Sequence, residues 1–278
     1  LAAYEGLNKT QATQAVALAA SQAAGLRGTL GSMAKPVQVG RAAMNGIASV
    51  RMAQAGVEVG LDILDPEGGF VSAFVQDGSA QLASLKEVAL GRDWAVLRTS
   101  FKPYACLHGI HPSIDAAREI VADPENIVAV RAYVAPGVKQ VAKFHVPETP
   151  LQAKFSVEYC VALALSGYPA GADDFSADQL ADTGIRRLTK LVVVIPKEGR
   201  KMLDSAVEIE MTDGTRHRGE TALSRGHPGN PMSWSELDTK FLGLAGPVLG
   251  PRAASLLAVL HGFDQADAVR EVAAHLKR

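Results

Sequence analysis

Three segments of the chain bring together residue types that could do chemistry on an anionic small molecule. The first is Gly31-Ser-Met-Ala-Lys35-Pro-Val-Gln-Val-Gly-Arg41, which holds a lysine between glycines and a proline, just ahead of an expected helix. A loop feeding a helix N-terminus offers free backbone N–H groups and the positive end of the helix dipole, and Lys35 adds a formal charge. That combination suits a carboxylate or a phosphate; the alternative is a tight connecting turn with a solvated lysine. The second is Phe101-Lys-Pro-Tyr-Ala-Cys106-Leu-His108-Gly-Ile-His111-Pro112-Ser-Ile-Asp115. Pro112 is a good first-turn residue, which puts His111 at or near a helix N-cap. There its imidazole is kept neutral and can act as a base near pH 7, or it simply caps the helix. The third, Ala153-Lys-Phe155-Ser-Val-Glu-Tyr159-Cys160-Val161, sets Phe155 and Tyr159 four apart on one helical face. That pattern means core packing, or a phenol directed into a cleft as a proton donor.

Common catalytic motifs are missing. The sequence has no phosphate-binding Gly-rich loop, no His-Glu-x-x-His and no Gly-x-Ser-x-Gly elbow. His108 and His111, three apart, have only Cys106 and Asp115 nearby as further metal ligands, so a metal site is not expected. Two cysteines, Cys106 and Cys160, are too few for an iron–sulfur cluster held by three or four protein thiolates.

The elements that must position these residues read in three parts. Asn8-Lys-Thr-Gln11 is a capping box leading into an alanine-rich helix to Ala24, with Gly25 as its stop. Helices over Gly40–Ala55, Phe70–Phe74 and Leu82–Leu90 follow. Strands are expected over Ala95–Phe101, Ile127–Val134 and Leu191–Ile195, and Thr212-Asp213-Gly214-Thr215 joins Val207–Met211 to Arg216–Thr221 in a hairpin. Helices at Ser113–Val121 and Phe155–Leu165 lie among them. Ser233-Trp-Ser-Glu236 caps a return to helices over Leu237–Gly246, Ala253–Leu260 and Ala266–Leu276. The organisation is thus helical over 1–92, α+β over 93–225 and helical again over 226–278.

The 278 residues carry 28 basic and 29 acidic side chains for a net charge of −1, which with only 5% aromatic residues argues against a nucleic-acid surface. No segment approaches the apolar length of a membrane span. With two cysteines and no secretory signal, a cytoplasmic location is expected. The chain opens at Leu1 within an alanine-rich stretch, so a piece of a longer chain is expected.

Four segments taken in order resemble the MmgE/PrpD family, which includes 2-methylcitrate dehydratase, cis-aconitate decarboxylase and iminodisuccinate epimerase. They are Gly31-Ser-Met-Ala-Lys-Pro…Gly-Arg-Ala-Ala-Met-Asn-Gly46, Lys102-Pro-Tyr…His-Pro-Ser-Ile-Asp-Ala-Ala117, Lys154-Phe-Ser-Val-Glu-Tyr159 and Gly229-Asn-Pro-Met-Ser…Lys-Phe241. The resemblance implies a mainly α fold: an all-helical domain, incomplete at its N-terminus, with an inserted α+β lid domain. It implies a site for a small di- or tricarboxylate with Lys35, His111 and Tyr159 as catalytic residues. Lys35 and Lys102 would bind substrate, Lys35 by supplying charge, while His111 shuttles a proton and Tyr159 donates to a departing oxygen or orients the substrate. Where many relatives carry histidine after the lysine, this chain has Gln38. No metal or organic cofactor, no nucleic acid and no membrane is implied, and a homodimer is usual. Dehydration of 2-methylcitrate or a similar β-hydroxy acid is the leading expectation, with decarboxylation or epimerisation as alternatives. A non-catalytic scaffold paralogue is the alternative from another class.

Overall fold

The computed structural model describes residues 1–29, 31–64, 68–80, 83, 91, 92, 94–265 and 267–276. They form two compact units, Leu1–Trp94 and Ala95–Arg278. Among the described residues there are twelve α-helices and one four-stranded sheet, an α+β composition dominated by helix. None of these helices is long and apolar enough to cross a membrane.

In the first unit, Asn8 and Gln11 form the expected capping box at the start of α1 (Lys9–Ser21). The helix stops at Gln22, three residues before Gly25. Helix α2 (Ala34–Gln54) starts six residues earlier than the sequence suggested. Pro36 is harmless there because a first-turn residue needs no intrahelical donor, and the penalty for Gly40 inside a helix is only about 1 kcal/mol. Ala15 and Leu18 of α1 pack against Val50 and Ala53 of α2, and Gln22 Nε2 donates to Ser49 Oγ at 3.1 Å. A short α3 (Phe70–Phe74) follows, and the helix expected over Leu82–Leu90 lies, but for Ala83, outside the described residues.

The second unit opens with a surprise. Ala95–Arg98 is a 3₁₀ turn and not a strand. Trp94, Val96 and Leu97 are exposed and among the described residues no strand pairs with the run, and an unpaired strand has nothing to stabilise it. The sheet is β2 (Val192–Pro196), β1 (Ile127–Val134), β3 (Ser205–Met211) and β4 (Arg216–Thr221) in that spatial order. The β1–β2 pair is parallel; the other two pairs are antiparallel. Asp213-Gly214 turns the β3–β4 hairpin as expected, with Gly214 at φ +83°.

Along β1 the pleat buries Val130, Ala132 and Val134 and leaves Arg131 and Tyr133 on the wetter face. Helices α4 (His111–Arg118), α7 (Val157–Leu165) and α9 (Thr183–Leu191) cover the buried face. All nine residues of α7 are buried, so it is the middle of the helical layer. Between these come α5 (Pro136–Val141), α6 (Pro150–Ala153) and α8 (Ala177–Ala181). The chain ends in α10 (Trp234–Leu249), α11 (Arg252–His261) and α12 (Ala268–Leu276), the first entered through the Ser233–Glu236 capping box.

Helix α4 lies unusually close to the sheet. A Cβ on Gly219 of β4 would sit 1.9 Å from the Ala116 carbonyl oxygen, so only glycine permits the contact. Ser113 and Ser205 share a buried hydrogen bond of 2.8 Å across the same interface. Gly219→Ala must therefore push the strand from the helix, and we expect it to lower stability by about 1–3 kcal/mol or more. A urea midpoint equal to that of the parent chain would show that this contact is not as tight as drawn.

Candidate functional site

His111 opens α4, one position inside the helix instead of capping it, because the preceding turn His108–Ile110 is already wound as 3₁₀. Its ring is wholly buried. The rings of Tyr104 and His108 pack edge-on against it, each with its centroid 5.1 Å away. Apart from a weak backbone hydrogen bond to Cys106, the ring nitrogens of His111 have no hydrogen-bond partner among the described residues, and Nε2 of His108 is likewise buried without one. Buried polar groups are nearly always satisfied, so these adjacent rings call for an explanation.

The electrostatics point the same way for both rings. Burial, reinforced by the charges of His108, Lys102 and Lys240, pushes the His111 imidazolium down to about 3; the Cys106 backbone opposes this only weakly. Burial, Lys102 and His227 likewise lower His108. Among the described residues the leading charged neighbours of these two rings are basic. The result is a cluster of cations and neutral imidazoles at a helix N-terminus.

Beside it lies a cleft of about 840 Å³. Lys102, Tyr104 and Lys240 belong to its wall, so Tyr104 separates the cleft from the buried ring of His111. Lys240 Nζ donates to the Lys102 carbonyl. Arg118 and Arg225 also line it.

A network that sequence reasoning missed fixes this wall. Tyr104 donates its hydroxyl to one oxygen of Asp115, and the other oxygen accepts the Arg225 backbone N–H at 2.8 Å. Burial raises the Asp115 carboxyl and the Tyr104 phenol alike. The Arg225 guanidinium grips Glu236 with both arms and reaches Asn230 Oδ1 at 3.1 Å. Asn230 in turn donates to the Leu223 carbonyl at 2.9 Å. Gly226 at φ +87° lets the loop touch Phe101, whose carbonyl oxygen would lie 2.0 Å from any Cβ there.

Tyr159 is buried in α7, its ring against Phe175, and its hydroxyl donates 2.7 Å to the Asp174 carbonyl. Burial holds that phenol above its ordinary range. Asp174 lines the cleft and its side chain accepts the Gly171 N–H at 2.8 Å, so Tyr159 supports the cleft wall from behind. Lys35 is exposed on the first turn of α2, not in a loop ahead of the helix, and belongs to the first unit. Gln38 donates 2.9 Å to Thr29 Oγ1 and so secures the approach to α2. The structure thus brings Lys102 and His111 together with His108 and Lys240, and sets Tyr159 behind the wall. Both cysteines are buried free thiols. Among the described residues no group of three or more His, Cys, Asp or Glu is placed to hold a metal.

Comparison with known proteins follows the same division of the chain. Residues 1–83 match the model of the MmgE/PrpD N-terminal domain and residues 104–262 that of the MmgE/PrpD C-terminal domain. Similar curated proteins include the cis-aconitate decarboxylase of Mus musculus, 24% identical over 257 residues, which cover 88% of this chain and 52% of that protein. The cis-aconitate decarboxylase of Homo sapiens is 23% identical over 261 residues, covering 88% and 53%. That of Aspergillus terreus is 26% identical over 268 residues, covering 87% and 54%. The chain spans about half the length of the curated relatives it matches.

The buried, neutral His111 makes stability depend on pH in a defined direction. An unfolded histidine takes up a proton near 6.5 whereas His111 resists until about 3, so the unfolded chain binds more protons between those values. Stability contributed by the neutral ring is therefore lost as pH falls from about 6.5 toward 3, at up to about 1.4 kcal/mol per pH unit. His111→Asn should flatten that stretch of the stability–pH curve measured by urea unfolding. Parallel curves would remove His111 from the acid response.

Proposed function

The chain belongs to the MmgE/PrpD family, and from that membership we propose that it is part of a lyase acting on a small di- or tricarboxylate. One observation supports this reading above the others: the cluster around His108 and His111 sets neutral imidazoles and basic side chains beside a cleft. The reaction begins with a carboxylate of the substrate against Lys102 and Lys240. Its negative charge raises the affinity of the nearby imidazoles for a proton, so that His111, a poor base in the empty site, can hold and return one at neutral pH. Removal of a proton, or of carbon dioxide, next to a carboxylate leaves negative charge on the adjoining carbon and carboxyl oxygens. Fixed cations in a partly desolvated site stabilise that charge more than water does.

Lys35 enters as a further substrate-binding and catalytic cation, and Tyr159 as a catalytic proton donor or orienting group, on the family resemblance. For Tyr159 this requires its hydroxyl to leave the Asp174 carbonyl when substrate is bound.

Between the possible outcomes, decarboxylation of a cis-aconitate-like acid is favoured, because the relatives named above are cis-aconitate decarboxylases. Dehydration of 2-methylcitrate shares the same opening step and has family membership behind it, without such relatives.

The test is to incubate the purified protein, without added metal or cofactor, with cis-aconitate, citrate and 2-methylcitrate. Decarboxylation predicts loss of cis-aconitate with stoichiometric carbon dioxide. A rising conjugated-alkene absorbance with 2-methylcitrate would select the dehydratase instead. No turnover of any of them would defeat the lyase reading in favour of epimerisation or a scaffold. In an active protein, Lys35→Ala should lower kcat/KM by at least about 10²-fold, the usual loss when an electrostatic contact to the reacting centre is removed. A near-parental value would take Lys35 out of the mechanism.

A further inference from the structure

The cleft contains two arginines, and they are not equivalent. Arg225 is fully engaged: its guanidinium holds Glu236 and Asn230, and its backbone N–H holds Asp115. Arg118, the last residue of α4, has no carboxylate partner among the described residues. Its guanidinium lies over the Tyr104 ring, 5.1 Å from the centroid, and Nη2 donates 3.0 Å to the Tyr168 carbonyl. Asp115, an acid that feels its charge, has one oxygen on the Tyr104 hydroxyl and the other on the Arg225 backbone. Arg118 is therefore held in a defined pose by Tyr104 and one carbonyl, with no ion pair to a carboxylate among the described residues. A guanidinium fixed in this way is preorganised for bidentate recognition of a carboxylate.

Its place in the fold adds a second argument. His111 and Arg118 are the two ends of α4, about 10 Å apart along the helix axis. Lys102 and Lys240, whose charges bear on His111, line the same cleft as Arg118. Much of the remaining wall is small or apolar, including Pro103, Ala105, Ala172 and Met232, and suits a short carbon skeleton. The cleft thus offers a guanidinium without an ion-pair partner among the described residues, in addition to the lysines that serve the reacting end. Resting on the polycarboxylate reading above, we propose that Arg118 recognises a second carboxylate of the ligand and sets the preference of this cleft for di- and tricarboxylates over monocarboxylates. Arg118 is a specificity-determining residue here, with no part in proton transfer.

Calorimetric titration of the whole chain with tricarballylate and with butyrate tests this. The parent chain should bind tricarballylate far more tightly than butyrate. Arg118→Gln should weaken tricarballylate by about 10–100-fold, the loss of a charge-assisted bidentate contact, and leave butyrate unchanged. Arg118→Lys keeps the charge without the fork, so it should fall between the two and tests the idea if the glutamine variant does not fold. A merely structural role for Arg118 would weaken both ligands in proportion, and that result overturns the inference. So does tight tricarballylate binding by either variant, which would leave the polycarboxylate reading standing. No tricarballylate binding by the parent chain would instead remove the polycarboxylate reading, and this inference with it.

Discussion

A histidine that must stay uncharged in the core is the constraint on which the second unit is organised. His111 is wholly buried at the first turn of α4, and its neutrality follows from that burial together with the basic groups around it. Keeping water out requires α4 to be covered on every side. The α7 layer closes one side, and the sheet closes another through a contact so close that β4 needs Gly219 opposite Ala116. The buried Ser113–Ser205 pair and the apolar Ile114, Ala116 and Ala117 complete that seal. The fold thereby keeps a weakly hydrogen-bonded imidazole buried next to a cleft.

Around that centre the polar groups divide into those that hold the wall and those that face the space. Asp115, Arg225, Glu236 and Asn230 hold it: each is engaged with another, and together they tie the middle of α4, the loop after β4 and the start of α10 into one body. Tyr159 does the same for the Asp174 segment. Lys102, Lys240 and Arg118 face the cleft, and the two histidines lie behind Tyr104. A carboxylate-bearing ligand placed against Lys240 and Arg118 would add negative charge beside the rings, and its arrival would change their protonation as well as fill the space.

Much of this was legible in the sequence where the signal is local. Both capping boxes, the Asp213-Gly214 hairpin and the strand Ile127–Val134 depend on neighbours a few residues apart, and all four stand as read. The errors arose where a local pattern was overruled. Gly40 looked like a boundary, yet one glycine is a small cost in a helix of 21 residues, and so Lys35 moved from a loop onto α2. Val96 and Thr99 suggested a strand that found no partner. The network through Asp115, Arg225 and Glu236 joins residues 110 and 11 positions apart and has no periodicity to betray it. The only hint was the paired glycines and Asn230 in the loop, which signal backbone approaching backbone.

Histidine resonances of the chain, followed by imidazole ¹⁵N NMR through a titration with tricarballylate, test the central claim most directly. The account predicts that His108 and His111 are neutral in the empty site at pH 7 and that saturation with the ligand shifts both sets of ring nitrogens toward the protonated form. The exposed His217 should stay as it was. Binding that leaves His108 and His111 unmoved would contradict the account, because that cluster would then not be where the carboxylate goes.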